Sequence, residues 1–224
     1  MLFGFTISHG QTKKVENLPK YLKEPLNFGF YIGVNRADFV IHPVNYPIDT
    51  LLSIESVPKM GFNLGIIAEL RLHDHVTLRF LPDLAFGERN LQYKLKTTQY
   101  GIYIVEKKVE STFIDFPLDI KYRTARINNF GAYLIGGGKY TIDLASQKGV
   151  QDKPGSEIVK LRSNDWAYEG GFGMDFYLPY FKFAIEGKLS VGIRDLLIKD
   201  SYVYSQGINK LNSKVFLFSF IFEG

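Results

Sequence analysis

The chain has 224 residues, a formal net charge of +4 at pH 7 and no cysteine. The lack of cysteine excludes disulfides, thiolate metal sites and a cysteine nucleophile. The basic residues are spread along the chain, which does not favour nucleic acid as a partner. No apolar run in the sequence approaches the roughly 18 residues of a transmembrane helix.

Residues 1–11 resemble the end of an export signal, because a short apolar stretch precedes small and polar residues. The basic segment that normally opens such a signal is missing. We therefore predict a truncated signal remnant, with an ordinary disordered N-terminus as the alternative. Residues 12–26 are polar and contain proline and several lysines, and they are predicted to form a periplasmic tail. Residues 27–224 are predicted to form one domain.

Apolar and polar residues alternate in eight segments, which is the pattern of strands with one apolar face. Phe183 and Ile185 point one way, for example, while Lys182 and Glu186 point the other. The predicted strands are residues 27–36, 62–72, 75–86, 109–122, 127–143, 166–178, 181–194 and 214–222. Most of them reach the roughly 9 to 11 residues that a strand needs to cross a membrane.

The connections between these segments alternate in length. The long links are 37–61, 87–108, 144–165 and 195–213, and the short links are 73–74, 123–126 and 179–180. Outer-membrane barrels have short periplasmic turns, longer external loops and an even number of strands. The sequence therefore predicts an all-β fold, an eight-stranded antiparallel up-and-down transmembrane β-barrel with both termini periplasmic. It would be exported by its signal and surrounded by outer-membrane lipid.

The same alternation places charged residues inside the barrel. The predicted lumen charges are Glu69, Arg71, Arg79, Asp83, Asp115, Asp119, Lys121, Lys139, Glu169, Asp175, Lys182, Glu186, Lys188 and Arg194. An eight-stranded barrel is only just wide enough for side chains to fill it. Seven acids and seven bases therefore predict a structural ion-pair network rather than a pore. Interior glycines such as Gly65 and Gly173 are predicted to make room for the long Lys and Arg side chains.

No motif in the sequence points convincingly to catalysis. Residues 73–75, His-Asp-His, could bind a metal, but a solvated turn is favoured. The glycines at 136–138 lack the helix and the Lys-Ser/Thr context of a phosphate loop. Asp115 and Asp119 could form an acid–base pair, although Lys121 more simply neutralises them. We therefore expect no enzyme and predict no catalytic residue, no metal and no cofactor.

Several segments together suggest a family. They are residues 13–19, 62–67, 109–117, 127–130, 136–146, 180–183 and 186–190. The most distinctive is 109–117, which reads Val-Glu-Ser-Thr-Phe-Ile-Asp-Phe-Pro. These segments resemble the PorT family of the Bacteroidota, and the likeness covers nearly the whole chain from about residue 13.

The family resemblance implies an outer-membrane component required for type IX secretion, which exports proteins that carry a C-terminal sorting domain, gliding adhesins among them. It implies no enzymatic activity. We expect an accessory or assembly role in which other secretion components are contacted by the short turns and the tail, at Lys13, Lys14, Glu16 and Lys20, or alternatively by the long outer loops. The alternatives are a structural or adhesive barrel and a lipid-modifying enzyme. A soluble lipocalin-like barrel is disfavoured, because its interior would be apolar rather than charged.

Overall fold

The computed structural model describes residues 16–46, 50–97, 101–144, 160–199 and 203–224. These contain nine strands, β1 (Leu26–Pro43), β2 (Leu51–Arg71), β3 (Val76–Phe80), β4 (Asp83–Thr97), β5 (Gly101–Arg123), β6 (Phe130–Asp143), β7 (Asn164–Tyr177), β8 (Lys182–Gly192) and β9 (Ile208–Glu223). A 3₁₀ turn, Tyr21–Lys23, precedes them, and a short helix, α1 (Val203–Gln206), precedes β9. Within these ranges no helix is long and apolar enough to cross a membrane. The predicted signal remnant, residues 1–11, lies outside the described residues.

The strands close into an antiparallel ring, because β1 pairs with β2 on one side and with β9 on the other. Strands β3 and β4 are two halves of one strand, since both lie between β2 and β5. The break falls at Leu81 and Pro82, and proline cannot donate a ladder hydrogen bond. Counted this way the ring has eight strands, which confirms the predicted fold class.

A band of apolar side chains surrounds the part of the ring where β1 begins and β2 ends. On β1 the outward residues from Phe28 to Val34 are exposed, and the facing residues on β2 run from Phe62 to Leu70. The stretch from Phe62 to Leu70 is nine residues long, and at a rise of about 3.3 Å and a tilt of about 40° it spans about 23 Å. This matches the roughly 25 Å apolar band of outer-membrane barrels. Outward charge begins at Arg36 on β1 and at Lys214 on β9, which marks the outer edge of the band.

Short links and both ends of the described chain lie at one end of the ring. The links are residues 72–75, 124–129 and 178–181, as predicted. Glu223 pairs with Gly29 near the start of β1, so β9 ends where β1 begins. This end is the periplasmic end in the arrangement of outer-membrane barrels.

The predicted long links 37–61 and 87–108 are wrong, because most of their residues belong to strands. β1 continues to Pro43, and β2 begins at Leu51. Above the membrane the outer face of a sheet meets water, so the strict alternation of apolar and charged residues fades. Backbone pairing nevertheless continues, with Ile54 opposite Tyr93 on β4. The barrel therefore extends beyond the membrane on this side.

A second core fills the part of the barrel that stands outside the membrane. Its buried residues are Phe39, Leu91, Tyr93, Leu95, Leu161, Leu196, Leu197, Ile208 and Leu211. Most come from the long strands β1, β4 and β9. The predicted loop positions of Phe39, Leu91 and Tyr93 are thus corrected to a packed core, which gains stability from apolar burial as a soluble domain does.

Two segments close this core above the shorter strands β6, β7 and β8. We call residues 160–162 and 195–198 together the outer cap. Leu161 forms a β-bridge with Leu197. The Asp195 carboxylate accepts the backbone N–H groups of Leu197 and Leu211, at 3.2 and 2.9 Å. The outer cap therefore ties the loop after β8 to the wall formed by β9.

Substitution with arginine at two heights of the same outer face would locate the membrane edge. Ile66 is 64% exposed and lies at mid-height of the apolar band, whereas Met60 is 74% exposed and lies opposite Arg36 at its edge. We expect Ile66→Arg to lower the free energy of unfolding by about 2–4 kcal/mol and Met60→Arg by about 0–1 kcal/mol. Denaturant titration in lipid vesicles measures both. Equal losses would contradict this placement.

Candidate functional site

The inward faces of the strands gather charged side chains in the lumen. Twelve of the fourteen predicted lumen charges are buried. They are Glu69, Arg79, Asp83, Asp115, Asp119, Lys121, Lys139, Glu169, Asp175, Lys182, Glu186 and Lys188. Alternation along each strand brings them to one side, because every second side chain points inward. We call these residues the lumen network.

Arg79 lies in the half of the lumen network that is nearer the periplasmic end. It donates from a terminal nitrogen to Glu186 at 2.6 Å, and its Nε lies 3.0 Å from Glu69. Lys121 Nζ lies 3.4 Å from the same Glu69 carboxylate and 3.0 Å from Asp175. Each of these five residues thus has an opposite charge beside it, which offsets the large cost of removing it from water.

Glu223 joins this network although the sequence analysis missed it. Lys182 Nζ lies 2.7 Å from Glu223 and 3.3 Å from Glu69. The predicted strand ended at residue 222, one position too early. The signal was present, because the outward aromatic residues of β9 continue to Phe222 and the next side chain must point inward.

In the half of the lumen network that is nearer the outer cap, two lysines pair with the acids. Lys188 Nζ lies 3.0 Å from Asp119 and 2.8 Å from Glu169. Lys139 Nζ lies 2.8 Å from Asp115. The pair of Lys188 with Asp119 crosses the lumen from β8 to β5, whereas the other two pairs join neighbouring strands.

Asp83 is held by neutral donors. Tyr31 donates its hydroxyl to the carboxylate, and Asn63 donates its side-chain amide at 2.9 Å. All three residues are buried. The two neutral donors satisfy hydrogen-bond acceptors of the buried carboxyl group.

The structure places Arg71 and Arg194 outside the lumen network. Arg71 lies where β2 ends and pairs with the exposed turn residue Asp74 at 2.5 Å. Arg194 follows β8 and is half-buried, and its backbone carbonyl accepts the Asn212 amide at 2.9 Å. The Arg194 prediction extended strand alternation past Gly192, where β8 stops, whereas Arg71 is the last residue of β2 and lies at the rim of the barrel.

Tyrosines fill space beside two interior glycines. Gly65 lies opposite Tyr31 and Gly173 opposite Tyr133 in the strand register. A Cβ atom at Gly65 would lie 2.4 Å from the Tyr31 ring, and one at Gly173 would lie 2.3 Å from the Tyr133 ring. The glycines therefore accommodate aromatic rings here, and the prediction that they make room for Lys and Arg is corrected at these two positions.

Tyr21 closes the periplasmic end of the lumen. The side chain is only 6% exposed, and its hydroxyl donates to Glu223. Its ring packs edge-on against Tyr177, with centroids 6.2 Å apart, and Lys182 Nζ lies 4.9 Å from the ring centroid. Burial raises the pKa of the Tyr21 hydroxyl above its usual value, so the hydroxyl stays protonated and remains a donor.

The tail is fixed to the barrel ahead of Tyr21. The Asn17 backbone N–H donates to the side chain of Asn129 at 2.9 Å, and the Asn17 amide donates to the Tyr177 carbonyl at 2.9 Å. Arg126 donates to the Asn17 carbonyl at 2.5 Å. Tail residues from Asn17 onward therefore belong to the folded barrel, which a polar composition did not reveal.

The predicted partner contacts divide into two groups. Glu16 and Lys20 are exposed on the periplasmic surface. Lys13 and Lys14 lie outside the described residues. Near Lys20, a cavity of about 360 Å³ opens below the barrel, and more basic than acidic side chains line it. We call it the periplasmic basic pocket, and its basic lining residues are Lys23, Arg71, His75, Arg123 and Arg126.

The periplasmic basic pocket carries an excess of positive charge. Two acids line it, Asp74 and Asp175. Asp74 pairs with Arg71 and Asp175 pairs with Lys121 inside the lumen. Lys23, Arg123 and Arg126 therefore remain at the pocket without an equal number of acids, an arrangement that attracts anionic groups at short range.

The residues that we considered as metal ligands do not form a site. His73 and His75 lie in the turn after β2, with ring centroids 6.4 Å apart. Across the described ranges, no group of three or more His, Asp or Glu side chains is placed to hold a metal ion. In the lumen network, the carboxylates are occupied by the cations and donors described above.

Comparison with known proteins identifies the family. The model of the outer membrane protein beta-barrel domain matches residues 10–197. The chain therefore belongs to this family and is a β-barrel protein of the bacterial outer membrane. No curated protein matches the sequence.

Solved outer-membrane proteins are also similar in structure. OprG from Pseudomonas aeruginosa is 15% identical, with a TM-score of 0.46 over 89% of this chain and 94% of that chain. Neisserial surface protein A is 12% identical, with a TM-score of 0.44 over 88% and 98%. Ail from Yersinia pestis, in complex with a heparin analogue, is 11% identical, with a TM-score of 0.40 over 90% and 100%.

Replacing Arg79 would test the energetics of the lumen network. We expect Arg79→Met to lower the free energy of unfolding by about 3–5 kcal/mol, because it leaves buried carboxylates without their partner. Adding Glu186→Gln should recover part of this loss. Arg71→Met, which removes an exposed pair, should cost at most about 1 kcal/mol. Denaturant titration measures all three, and equal effects for Arg79→Met and Arg71→Met would contradict the network.

Replacing Tyr21 would test whether the tail closes the lumen. We expect Tyr21→Ala to release the tail and to accelerate cleavage by trypsin after Lys20 and Lys23, because the buried ring no longer holds them. Tyr180→Ala is the matched control, since Tyr180 is 89% exposed in the turn between β7 and β8. Limited proteolysis of the purified barrel measures both. Identical cleavage rates in the two variants would contradict the role of Tyr21.

Proposed function

We propose that this outer-membrane barrel is a non-enzymatic component of the type IX secretion system, with an accessory or assembly role in exporting proteins that carry the sorting domain. The occupied lumen is the observation that supports a binding role. Side chains of the lumen network fill it, Tyr21 covers its periplasmic end, and the outer cap covers the other end. Binding at a surface, rather than passage through the barrel, is the role that such a structure serves best.

The assignment to type IX secretion is supported by the resemblance to the PorT family. The resembling segments meet in the fold. Asp115, from the distinctive segment 109–117, pairs with Lys139 from segment 136–146. Asn17, from the tail segment 13–19, is bound by Arg126 and by Asn129, which belongs to the turn segment 127–130. These segments thus build the lumen and the periplasmic end of one barrel.

The periplasmic surface is the proposed partner site. Lys20 and Lys23 project from the fixed part of the tail, next to the periplasmic basic pocket. Because Asn17 and Tyr21 anchor this segment, its charges are presented at a defined position. A partner with an acidic surface would therefore lose little additional tail freedom on binding.

Two other functions remain as alternatives. A structural or adhesive barrel would use its outer surface, and its loss would leave secretion intact. A lipid-modifying enzyme would need a nucleophile or general base at the outer rim. A deletion strain separates these functions, because normal display of proteins that carry the sorting domain would contradict the secretion role.

Reversing two tail charges would test the partner site. We expect the double variant Lys20→Glu and Lys23→Glu, expressed in the deletion strain, to lose most recovery of secretion partners after cross-linking and to reduce cargo export. The reason is that two attractive charges become repulsive towards an acidic partner.

The matched control reverses two exposed lysines at the opposite end of the barrel. Lys94 and Lys96 lie on the outer part of β4. The double variant Lys94→Glu and Lys96→Glu should leave both partner recovery and export unchanged. Quantitative mass spectrometry of the cross-linked complexes reads out binding. Unchanged recovery in the tail variant, at wild-type barrel levels, would remove the periplasmic surface from the mechanism.

A further inference from the structure

The tail forms part of the wall of the periplasmic basic pocket. Pro19 and Lys23 of the tail line the pocket together with Arg71, Arg123 and Tyr177 of the barrel. The complete pocket therefore exists only while the tail lies against the barrel. A ligand stabilises the state to which it binds, so a ligand of this pocket must favour the attached tail.

Arg126 connects the pocket to the closure of the lumen. Its guanidinium donates to the Asn17 carbonyl of the tail at 2.5 Å, and the guanidinium carbon lies 4.0 Å from the Tyr177 ring centroid. Tyr177 packs edge-on against Tyr21, with ring centroids 6.2 Å apart. Arg126 and Tyr177 both line the pocket, so the contacts that hold the tail are continuous with the pocket wall.

Two arginines of the barrel are held in place with donor groups to spare. Arg71 donates from a terminal nitrogen to the Asp74 carboxylate at 2.5 Å, and Arg123 donates from Nε to the Asp74 backbone carbonyl at 2.8 Å. A guanidinium has five N–H donors, so each arginine retains donors for a ligand. Because the turn already orders both side chains, a ligand would lose less free energy in immobilising them.

We propose that the periplasmic basic pocket binds carboxylate side chains of an acidic polypeptide segment, and that this binding locks the tail onto the barrel. The inference rests on the periplasmic partner site proposed above, and it specifies the ligand and the effect of binding. The planar edge of a guanidinium matches a carboxylate in bidentate geometry. The pocket volume of about 360 Å³ is many times the share of about 30 Å³ that one water occupies, so more than one carboxylate fits.

The distribution of charge favours separate carboxylates over a single phosphate. The cations in excess come from three elements, since Lys23 lies in the 3₁₀ turn of the tail, Arg123 ends β5, and Arg126 lies in the link after it. Asp74 and Asp175 also line the pocket. They repel one group with two negative charges more strongly than groups that carry one each, so single charges spaced along a peptide match the lining better.

Peptide binding and limited proteolysis of the purified full chain, at constant ionic strength, test the proposal. The probe is a hexaglutamate peptide, and hexaglutamine is the uncharged control. Fluorescence anisotropy of the labelled peptide measures its dissociation constant. Mass spectrometry follows trypsin cleavage after Lys20, which is exposed and is not among the residues that line the pocket. We expect hexaglutamate at ten times its dissociation constant to slow this cleavage about tenfold, because only the detached tail is cut, and hexaglutamine to leave the rate unchanged.

Two variants distinguish a coupled pocket from general attraction to basic charge. Arg123→Gln removes a cation of the pocket, and we expect it to weaken hexaglutamate binding about tenfold. Tyr21→Ala removes no charge but releases the tail, and it should also weaken binding about tenfold, because coupling between two sites is reciprocal. The matched control is the double variant Lys94→Gln and Lys96→Gln at the outer end of β4, which should bind hexaglutamate as the wild type does.

Three results would overturn the proposal. They are wild-type cleavage that hexaglutamate does not slow, an affinity for hexaglutamate that Tyr21→Ala leaves unchanged, and equal protection by inorganic phosphate. The first and third concern the wild type, so the test stays decisive even if Tyr21→Ala does not fold. These measurements contain no secretion component. They can therefore fail while the deletion strain still loses cargo export, and they can succeed while export stays normal.

Discussion

The structure depends on one constraint, which is that strands crossing lipid must send their charges inward. Within the membrane, every second residue of each strand faces the bilayer, where Arg or Lys at mid-height costs about 2–4 kcal/mol. The charged and polar side chains of this part must therefore point into the lumen. A barrel of eight strands is only just wide enough for side chains to fill it. In such a space charges must pair, and the contacts of Arg79 with Glu69 and Glu186 are the result. The lumen network thus follows from the number of strands and the alternation together.

A filled lumen determines where function can reside. Some of the ion pairs, such as Arg79 with Glu186 and Lys188 with Asp119, cross the lumen, so the barrel is a rigid support for the segments at its two ends. At the periplasmic end, Tyr21 and Asn17 attach the tail to that support and present a basic surface. At the outer end, the second core and the outer cap rest on strands that continue beyond the membrane. Both ends therefore owe their defined shape to the charged interior between them.

Sequence alone could predict the part of the fold that lipid enforces. The strand faces, the ring of eight and the inward position of residues such as Glu69 follow from local alternation. The buried positions of three residues, Tyr21, Phe39 and Arg89, could not be predicted, because each depends on contacts between distant parts of the chain. Tyr21 is a single aromatic residue in a polar tail, with no periodicity around it. Phe39 and Arg89 lie above the membrane, where water on the outer face relaxes the pattern and their strands resembled loops. Only the three-dimensional arrangement shows that their side chains meet.

Ion conductance of the purified barrel tests the occupied lumen most directly. Single barrels would be reconstituted into planar lipid bilayers in concentrated potassium chloride, and the current would be recorded across a range of voltages. We expect no stepwise increase in current above that of the bare bilayer, because paired side chains and the tail leave no continuous water path. Reproducible open-channel steps from the wild-type protein would contradict a lumen closed by the network.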